Sequence, residues 1–349
     1  MIEKDSYEPD YQVGIGVMTG TSLDGVDLCL ARFDTAGYEI LEFECFSFPE
    51  QLKTFLSEAQ NISGADYFLL ENEFSLFLAK TIWNFNEKHH RQAGFAGVHG
   101  QTIFHDPNKQ LTHQMLNGSL ISSISELTTV CDFRSADVAL GGQGAPLVPI
   151  GDSQLFSDYS ACLNLGGFAN ISREENGERI AFDICPVNFV LNHFSKKLGK
   201  EFDEGGNLAR SGEINMVTLK KLNTLDFYKM PAPKSLGREW VEEFVLPIMS
   251  ALNPKDALRT FTEHAAEKIS QSLPKKGKTL VTGGGAYNEF LIAKIGIERL
   301  VIPNRELIEG KEALIFAYLA KLRLEGQINV LSSVTGASRN SCSGAVYLP

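Results

Sequence analysis

A glycine-tipped strand–loop–strand near the start of the chain limits the possible folds more than any other feature. An apolar run over 13–18 enters a loop over 19–25, and alternating apolar and polar residues after the loop predict a second strand. Asp24-Gly25 is a hairpin signal, because glycine accepts the positive φ that a chain reversal requires. The loop is not a P-loop, since no Gly-Lys-Ser/Thr is present and the exit alternates with period two. The sequence therefore predicts a β-hairpin here.

The tip of this hairpin is a candidate phosphate-binding loop. It offers backbone N–H groups, hydroxyl groups, two carboxylates and glycines that let a ligand approach the backbone. Its residues are Gly20, Thr21, Ser22, Leu23, Asp24, Gly25, Val26 and Asp27. Clustered N–H groups suit phosphate oxygens, and Asp24 is placed to hold, through water, the Mg²⁺ that accompanies them. The alternative interpretation is a Gly- and Thr-rich turn without a ligand, since most Asp-Gly turns bind nothing.

Length, charge and cysteine usage limit the classes of protein. With 349 residues the chain is long enough for two domains. Its net charge of −11 argues against a general nucleic-acid or membrane-surface role. We expect no membrane span and no signal peptide, because no stretch approaches about 18 apolar residues and the first residues lack the basic and apolar pattern of a leader. Six cysteines without a Cys-x-x-Cys pair fit reduced thiols, so we expect a cytoplasmic protein.

Two polar segments in the first half are candidates for binding a substrate. A short predicted strand delivers His99 and Gln101 on either side of a glycine. Asp132, Arg134 and Asp137 precede a glycine-rich loop at 141–144, and polar side chains beside such a loop fit a substrate rim between domains. A histidine hydrogen-bonded within the structure and an interdomain linker with an Asp–Arg pair are the respective alternatives.

The opening pattern returns about half a chain later. Gly166 and Gly167 lie between two apolar segments, which predicts a second glycine-tipped hairpin. The strand after it leads into Asp183, and Pro186 is expected to start a helix. An acidic residue near the end of a strand is a common place for a catalytic base, and it is equally common as a helix N-cap.

Two further segments complete the set. Gly283, Gly284 and Gly285 follow a predicted strand and precede a predicted helix, whose N-terminus favours negative charge. Glu312 leads a second predicted helix with small residues at 313, 317 and 320, which permit close packing. This glutamate is either a partner of the helix dipole in the first turn or a ligand that points into a cleft.

The order of these segments resembles the actin, sugar-kinase and Hsp70 superfamily, in which two related α/β domains clamp ATP between them. Within it, the chain is similar to the anhydro-N-acetylmuramic acid kinase family over about 13 to 345. The matching blocks lie at 20–27, 99–102, 132–134, 141–147, 164–170, 234–239, 283–288 and 312–313.

The resemblance implies a fold and an activity. The fold class is α/β, with two related ribonuclease-H-like (actin-like ATPase) domains and an ATP cleft between them. We expect 1–130 and 326–349 in the first domain and 131–325 in the second. The implied activity opens 1,6-anhydro-N-acetylmuramic acid with water and phosphorylates O6, giving N-acetylmuramic acid 6-phosphate and ADP in peptidoglycan recycling. ATP and Mg²⁺ are the implied cofactors, an amino sugar is the implied partner, and a homodimer is suggested by the family alone.

The resemblance also implies roles for individual residues. Because O6 is held in the anhydro bridge, water must attack C1 while the bridge oxygen accepts the γ-phosphoryl group. Asp183 is then the base beside that water, and Glu312 helps to hold the water. The two hairpin tips correspond to the phosphate loops of the superfamily and the triple glycine to its adenosine loop. The implied substrate-binding residues are His99, Gln101, Asp132 and Arg134.

The chain departs from the family pattern beside the presumed base. The family motif Asp-Thr-Gly-Pro-Gly-Asn is here Asp-Ile-Cys-Pro-Val-Asn, so Cys185 and Val187 replace glycines. Asn192 stands where the family has a second aspartate, and Leu236 replaces a threonine in a Lys-Ser-Thr-Gly motif. Two alternative functions therefore stay open: a related kinase for another sugar or amino sugar, and a non-catalytic ATP-binding paralogue.

Overall fold

The computed structural model describes residues 12–20, 23–35 and 37–349. Within these ranges the chain forms two compact units. The first comprises the described residues up to Gly151 together with Gly310–Pro349, and the second is Asp152–Glu309.

The secondary structure alternates between strands and helices along the chain. The strands are β1 Val13–Thr19, β2 Gly25–Asp34, β3 Gly37–Ser47, β4 Phe95–Val98, β5 Gln101–Asp106, β6 Leu111–Met115, β7 Thr128–Cys131, β8 Ala161–Leu165, β9 Phe168–Glu175, β10 Glu178–Pro186, β11 Thr279–Thr282, β12 Leu300–Val301 and β13 Ala345–Tyr347. The α-helices are α1 Glu50–Glu58, α2 Gly64–Lys88, α3 Gly118–Ser125, α4 Ser135–Ala139, α5 Val148–Leu155, α6 Asn188–Lys196, α7 Asn207–Arg210, α8 Met216–Asn223, α9 Arg238–Trp240, α10 Leu246–Met249, α11 Pro254–Ser272, α12 Glu289–Ile295, α13 Arg305–Leu324 and α14 Ser332–Thr335.

The sheet of the first unit has the order β13-β7-β4-β1-β2-β3. β1, β2 and β3 form an antiparallel meander, while β4 and β7 continue the sheet in parallel from β1. The alternation that predicts β2 is seen in its burial, since Val26, Leu28 and Leu30 are all inaccessible to solvent. The predicted hairpin is thus confirmed, and β3 extends it into a three-stranded meander.

The sheet of the second unit repeats this arrangement with the order β10-β9-β8-β11-β12. β8, β9 and β10 form an antiparallel meander, and β11 and β12 continue in parallel from β8. Both units therefore place the third, second, first, fourth and fifth core strands in the same spatial order. This repeated order confirms the prediction of an α/β chain with two related ribonuclease-H-like, actin-like domains.

The turn of the first hairpin differs in detail from its prediction. Among the described residues of this turn, Leu23 is left-handed, with φ 57°, and Gly25 is not. Gly25 is required for a different reason, because a Cβ there would overlap the Phe46 carbonyl oxygen on β3. Glycine at this position thus serves close strand packing.

Helix α13 packs closely against the first sheet. A Cβ at Gly16 on β1 would overlap the Ala313 carbonyl oxygen, and one at Gly97 on β4 would overlap the Phe316 carbonyl oxygen. The close approach predicted from small helix residues is therefore present. Because of this packing, 310–325 belongs to the first compact unit. The segment 131–151 belongs to it as well. The predicted boundaries assign both segments to the second domain.

Two other expectations concern the whole described chain. None of its helices is long and apolar enough to cross a membrane. All six cysteines lie in the described ranges and none forms a disulfide; four of them are buried.

The contact between α13 and β1 generates a stability prediction. Gly16→Ala forces a methyl group against a helix backbone that cannot move independently, so we expect a loss of about 1–3 kcal/mol in the free energy of unfolding. Urea denaturation followed by circular dichroism measures it. Gly64→Ala is the matched control, because a Cβ at Gly64 meets no atom within 4 Å. An equal stability of the two variants would contradict the close contact.

Candidate active site

Asp183 lies on β10 at a point where the strand bulges. The register between β10 and β9 shifts between Asp183 and Cys185. The loop after Met230 holds the residue from both sides: the Asp183 N–H donates to the Lys234 carbonyl oxygen at 2.9 Å, and the Leu236 N–H donates to Asp183 Oδ2 at 2.8 Å. Lys234 is itself fixed, since its ammonium group donates to the Phe227 carbonyl oxygen at 3.0 Å. The carboxylate is therefore held in one orientation.

The electrostatics of Asp183 suit a general base. Partial burial raises its pKa above the ordinary value, and the hydrogen bond from Leu236 opposes that rise. Oδ1 makes no hydrogen bond with any residue in the described part of the chain. A half-buried carboxylate with one fixed and one available oxygen can take a proton from a bound water molecule.

The second hairpin tip and the triple glycine lie together at one end of the second sheet. Gly167 O accepts hydrogen bonds from Val187 N at 2.8 Å and Phe189 N at 3.2 Å, which seats the tip on the start of α6. A Cβ at Gly285 would lie 2.7 Å from the Leu165 Cβ, so the triple-glycine loop passes close to the end of β8. The structure thus brings Gly166, Gly167 and 283–285 to the same strand ends.

Two boundaries near these loops differ from prediction. β10 continues through Pro186 and α6 begins at Asn188, so Pro186 ends a strand instead of starting a helix. A short 3₁₀ turn over Gly284–Tyr287 begins within the triple glycine and precedes α12, which is capped by Asn288. The helix N-terminus therefore does not follow the glycines directly.

The first hairpin tip is connected to the His99 segment. Thr19 Oγ1 donates to the Gly100 carbonyl oxygen at 2.7 Å, and Leu23 N–H donates to Gly20 O at 3.3 Å. The predicted ligands Thr21 and Ser22 lie outside the described residues.

The remaining residues of the tip differ in their exposure. Asp24 is exposed, Gly25 and Asp27 are half-buried, and Val26 is buried in the core. In the described ranges, no group of three or more His, Cys, Asp or Glu residues is arranged to hold a metal ion. Asp24 is a single hard oxygen donor, which fits a contact through water and not a protein-built metal cage.

Arg134 and His99 form the centre of a polar cluster in the first unit. The guanidinium Nη2 donates to His99 Nε2 at 2.9 Å, and Nη1 donates to the Gly144 carbonyl oxygen at 2.6 Å. Glu312 belongs to the same unit and interacts with the charge of Arg134. The His99 ring packs on Phe316 of α13 with centroids 4.8 Å apart. Three predicted site residues, His99, Arg134 and Glu312, are thus brought together.

Burial decides the protonation states in this cluster. Burial and the neighbouring charge of Arg134 lower the pKa of His99 to about 3. Burial also lowers the pKa of Arg134 to about 10, against the charges of Glu312 and Asp137. At neutral pH the histidine is uncharged and accepts a hydrogen bond from a charged arginine.

Glu312 is not at the start of its helix. It is the eighth residue of α13, and Glu306 occupies the first turn. The interpretation of Glu312 as a first-turn partner of the helix dipole is therefore wrong.

Gln101 and Asp132 occupy contrasting positions. Gln101 is 3% exposed, and its side-chain oxygen has no hydrogen-bond partner among the described residues. Asp132 is exposed and has a left-handed φ of 56°, and its Oδ1 accepts the Ser135 N–H at 3.2 Å at the start of α4. One Asp132 oxygen therefore shapes the turn before Arg134.

Sequence patterns missed the groups that orient these side chains. Leu236 acts through its backbone N–H, for which the sequence carries no side-chain signal. Asp137 is predicted as a polar residue of the substrate rim, but the sequence gives no sign that it is buried and holds the Gly144 N–H.

Comparison with known proteins places this geometry in one family. The sequence model of the family described as anhydro-N-acetylmuramic acid kinase matches residues 12–349. The chain belongs to the anhydro-N-acetylmuramic acid kinase family.

Relatives from several bacteria match this family member along nearly its whole length. The anhydro-N-acetylmuramic acid kinase of Pasteurella multocida is 36% identical, over 95% of this chain and 96% of its own. That of Vibrio cholerae is 32% identical, over 96% and 98%. That of Hydrogenovibrio crunogenus is 31% identical, over 98% and 99%.

Solved structures resemble this chain less closely than these relatives do. The activator of the 2-hydroxyisocaproyl-CoA dehydratase from Clostridium difficile aligns over 90% of this chain and 97% of its own, with 11% identity and a TM-score of 0.43. A likeness of this size carries no argument, and the fold assignment depends on the strand orders described above.

The two glycine replacements beside Asp183 lie in the core of the second unit, whereas Asn192 and Leu236 are half-buried. Cys185 and Val187, which replace glycines of the family pattern, are both 0% exposed and pack among the buried apolar residues of that unit. Asp183, by contrast, keeps a half-exposed carboxylate on the same strand. The added bulk therefore fills core volume, and it gives no support to a change of sugar.

The raised pKa of Asp183 predicts a pH-dependent gain in stability for Asp183→Asn. Below the unfolded-state pKa of about 3.9 both states are protonated and the group contributes nothing. As the pH rises through the higher folded-state pKa, the wild type places a charge in a partly desolvated site and loses stability. We expect the variant to match the wild type near pH 3 and to have the higher free energy of unfolding at pH 7, measured by urea denaturation.

Asp183→Ala is the control for this experiment, because it leaves the Leu236 N–H without an acceptor. It should be less stable than Asp183→Asn by about 1–3 kcal/mol. An advantage of Asp183→Asn that grows as the pH falls would contradict the assigned direction.

The cluster around His99 predicts a histidine that does not titrate in the physiological range. Because Arg134 donates to Nε2 and the ring is buried, the neutral tautomer protonated on Nδ1 should persist from pH 5 to 8. Long-range ¹H–¹⁵N NMR of the histidine rings measures the tautomer. A His99 midpoint near the unperturbed pKa of about 6.5 would contradict the assignment.

Proposed function

We propose that this chain is an ATP-dependent anhydro-N-acetylmuramic acid kinase that opens 1,6-anhydro-N-acetylmuramic acid and phosphorylates O6. The observation that carries the proposal is the fixed, half-buried Asp183 carboxylate on β10, the strand after whose end Val187 N–H donates to Gly167 of the second hairpin tip. Family membership over residues 12–349 and relatives with this name along their full length support the substrate.

The reaction gives each bond a defined fate. Water attacks C1 of the sugar and loses a proton to Asp183, while the bond between C1 and the bridge oxygen breaks. The bridge oxygen, which becomes O6, takes the γ-phosphoryl group, and ADP leaves. The bound carboxylate therefore has to accept one proton, and phosphoryl transfer depends on positioning and on charge stabilisation.

The nucleotide is assigned to backbone-rich loops. We infer that 20–27, Gly166 and Gly167 bind phosphates and that 283–285 borders the adenosine. Backbone N–H groups suit phosphate oxygens, and glycines leave room for close approach. Mg²⁺ would travel with the phosphates and meet Asp24 through water, where it would supply charge neutralisation.

The sugar is assigned to the polar cluster of the first unit. Arg134 keeps its positive charge at neutral pH and is oriented by His99 and Gly144, so it can bind an anionic or polar group of the substrate. His99, Gln101 and Asp132 complete the proposed set. Glu312 is proposed to help hold the attacking water, and its side chain is already in the electrostatic neighbourhood of Arg134. A cytoplasmic location and a homodimer stay predictions.

The test is product formation by the purified protein. With ATP, Mg²⁺ and 1,6-anhydro-N-acetylmuramic acid, we expect ADP release in step with a product heavier by one water and one phosphoryl group, measured by coupled assay and mass spectrometry. Asp183→Asn should lower kcat by about 10²–10⁴-fold, because it removes the base without removing the acceptor for Leu236. Asp158→Asn, at an exposed position in the same unit, is the matched control and should keep wild-type activity.

The same assay separates the alternatives. Turnover with another sugar but none with the anhydro-sugar would replace the proposed substrate. ATP binding without turnover on any sugar would favour a non-catalytic paralogue. Full activity of Asp183→Asn would refute the assignment of the base.

A further inference from the structure

The buried carboxylate of Asp137 has no role in the proposed reaction as described so far. It lies on α4 in the first unit and is 0% exposed. Oδ2 accepts the Gly144 N–H at 2.8 Å, and Oδ1 accepts the Thr335 hydroxyl at 2.7 Å. Both oxygens of one buried carboxylate are therefore used to hold other groups.

The groups held by Asp137 shape the glycine-rich loop 141–144. The Gly142 N–H donates to the Asp137 carbonyl oxygen at 2.9 Å, and a Cβ at Gly142 would overlap Asp137 Oδ2. Gln143 N–H donates to the Thr335 carbonyl oxygen at 2.8 Å. Gly144 has φ 67°, a conformation that favours glycine. The loop is thus folded around the Asp137 side chain.

The end of this loop is a hydrogen-bond acceptor for Arg134. The Gly144 N–H donates to Asp137, and the Gly144 carbonyl oxygen accepts a hydrogen bond from Arg134 Nη1 at 2.6 Å. The other side of the guanidinium donates to His99. His99 and the Gly144 carbonyl oxygen thus fix the planar guanidinium of Arg134. The position of Gly144 depends in turn on its hydrogen bond to Asp137.

We propose that Asp137 is a positioning residue that orients Arg134 for the amino-sugar substrate by fixing Gly144. This inference rests on the proposed function, in which Arg134 binds that substrate. Asp137 does not touch the sugar. Its contribution is the geometry of the guanidinium, and an error of about 1 Å in such a group can cost about 100-fold in rate.

Two substitutions separate position from charge. Asp137→Ala removes both hydrogen bonds, so we expect at least about tenfold weaker binding of the anhydro-sugar, measured by calorimetry without ATP, and a matching rise in its KM. The KM for ATP should stay within about twofold. In Asp137→Asn the amide oxygen still accepts the Gly144 N–H. The amide NH₂ can donate to the Thr335 hydroxyl oxygen, because a hydroxyl accepts as well as donates. It should bind the sugar within about threefold of the wild type.

Asn329→Ala is the matched structural control. Asn329 is also 0% exposed in the first unit, and its side chain makes three hydrogen bonds. Nδ2 donates to Leu319 O at 3.1 Å and to Ser343 O at 2.8 Å, and Oδ1 accepts the Ser343 N–H at 2.6 Å. This variant should lower Tm as Asp137→Ala does, yet leave the affinity for the sugar unchanged.

A second readout does not require the sugar. The His99 Nε2 resonance reports the hydrogen bond from Arg134, so Asp137→Ala should shift it while Asp137→Asn and Asn329→Ala leave it in place. If the wild type neither binds nor turns over the sugar, the proposed function fails, and the resonance still decides whether Asp137 positions Arg134.

Three results would overturn the inference. Equal loss in Asp137→Asn and Asp137→Ala would assign the effect to charge. An unchanged sugar affinity and an unchanged His99 resonance in Asp137→Ala would show that Asp137 does not position Arg134. A loss in Asn329→Ala as large as that in Asp137→Ala would make it a general consequence of a weakened unit.

Discussion

The close contact between α13 and the first sheet is the constraint on which the polar cluster depends. Gly16 and Gly97 have no side chain where the helix backbone passes, and this absence lets the helix lie directly on β1 and β4. The same helix carries Phe316, which packs on the His99 ring, and Glu312, which interacts with Arg134. If the helix lay one methyl group further from the sheet, the packing of Phe316 on His99 and the interaction of Glu312 with Arg134 would both be lost. Two glycines in strands thus determine the surroundings of a buried histidine and a half-buried arginine.

In the second unit, a compromise between burial and hydrogen bonding defines Asp183. Burial makes the carboxylate more basic, while the Leu236 N–H stabilises its charged form. A fully exposed aspartate would be a weak base at neutral pH, and a fully buried one without a partner would be protonated. The fixed oxygen sets the direction of the available one, so the orientation of the carboxylate depends on a backbone group of the loop. For this reason the replacement of a family threonine by Leu236 leaves the interaction unchanged.

Periodic patterns predicted the architecture well because burial acts on side chains in a regular order. The alternation in β2 and the glycines between apolar segments were sufficient for both hairpins, and small residues on α13 predicted its close packing. The patterns did less well where the backbone decides. Leu23 takes the left-handed position of the first turn, although the neighbouring Asp24-Gly25 has the stronger turn propensity. A helix start at Glu312 overlooks the N-cap Asn304, whose Oδ1 accepts the Leu307 N–H at 3.2 Å just before α13 begins at Arg305.

The site itself could be predicted only where function is expressed by side chains. Asp183, His99, Arg134 and Glu312 are chemically distinctive, and the resemblance to the family assigned them roles. Their supports are ordinary groups: a leucine N–H, a glycine carbonyl oxygen and a threonine hydroxyl. Cys185 shows the opposite error, since a change beside a presumed base looks important until the strand's bulge turns that side chain into the core. Which face of a bulged strand a residue occupies is a tertiary property, and alternation along the sequence cannot supply it.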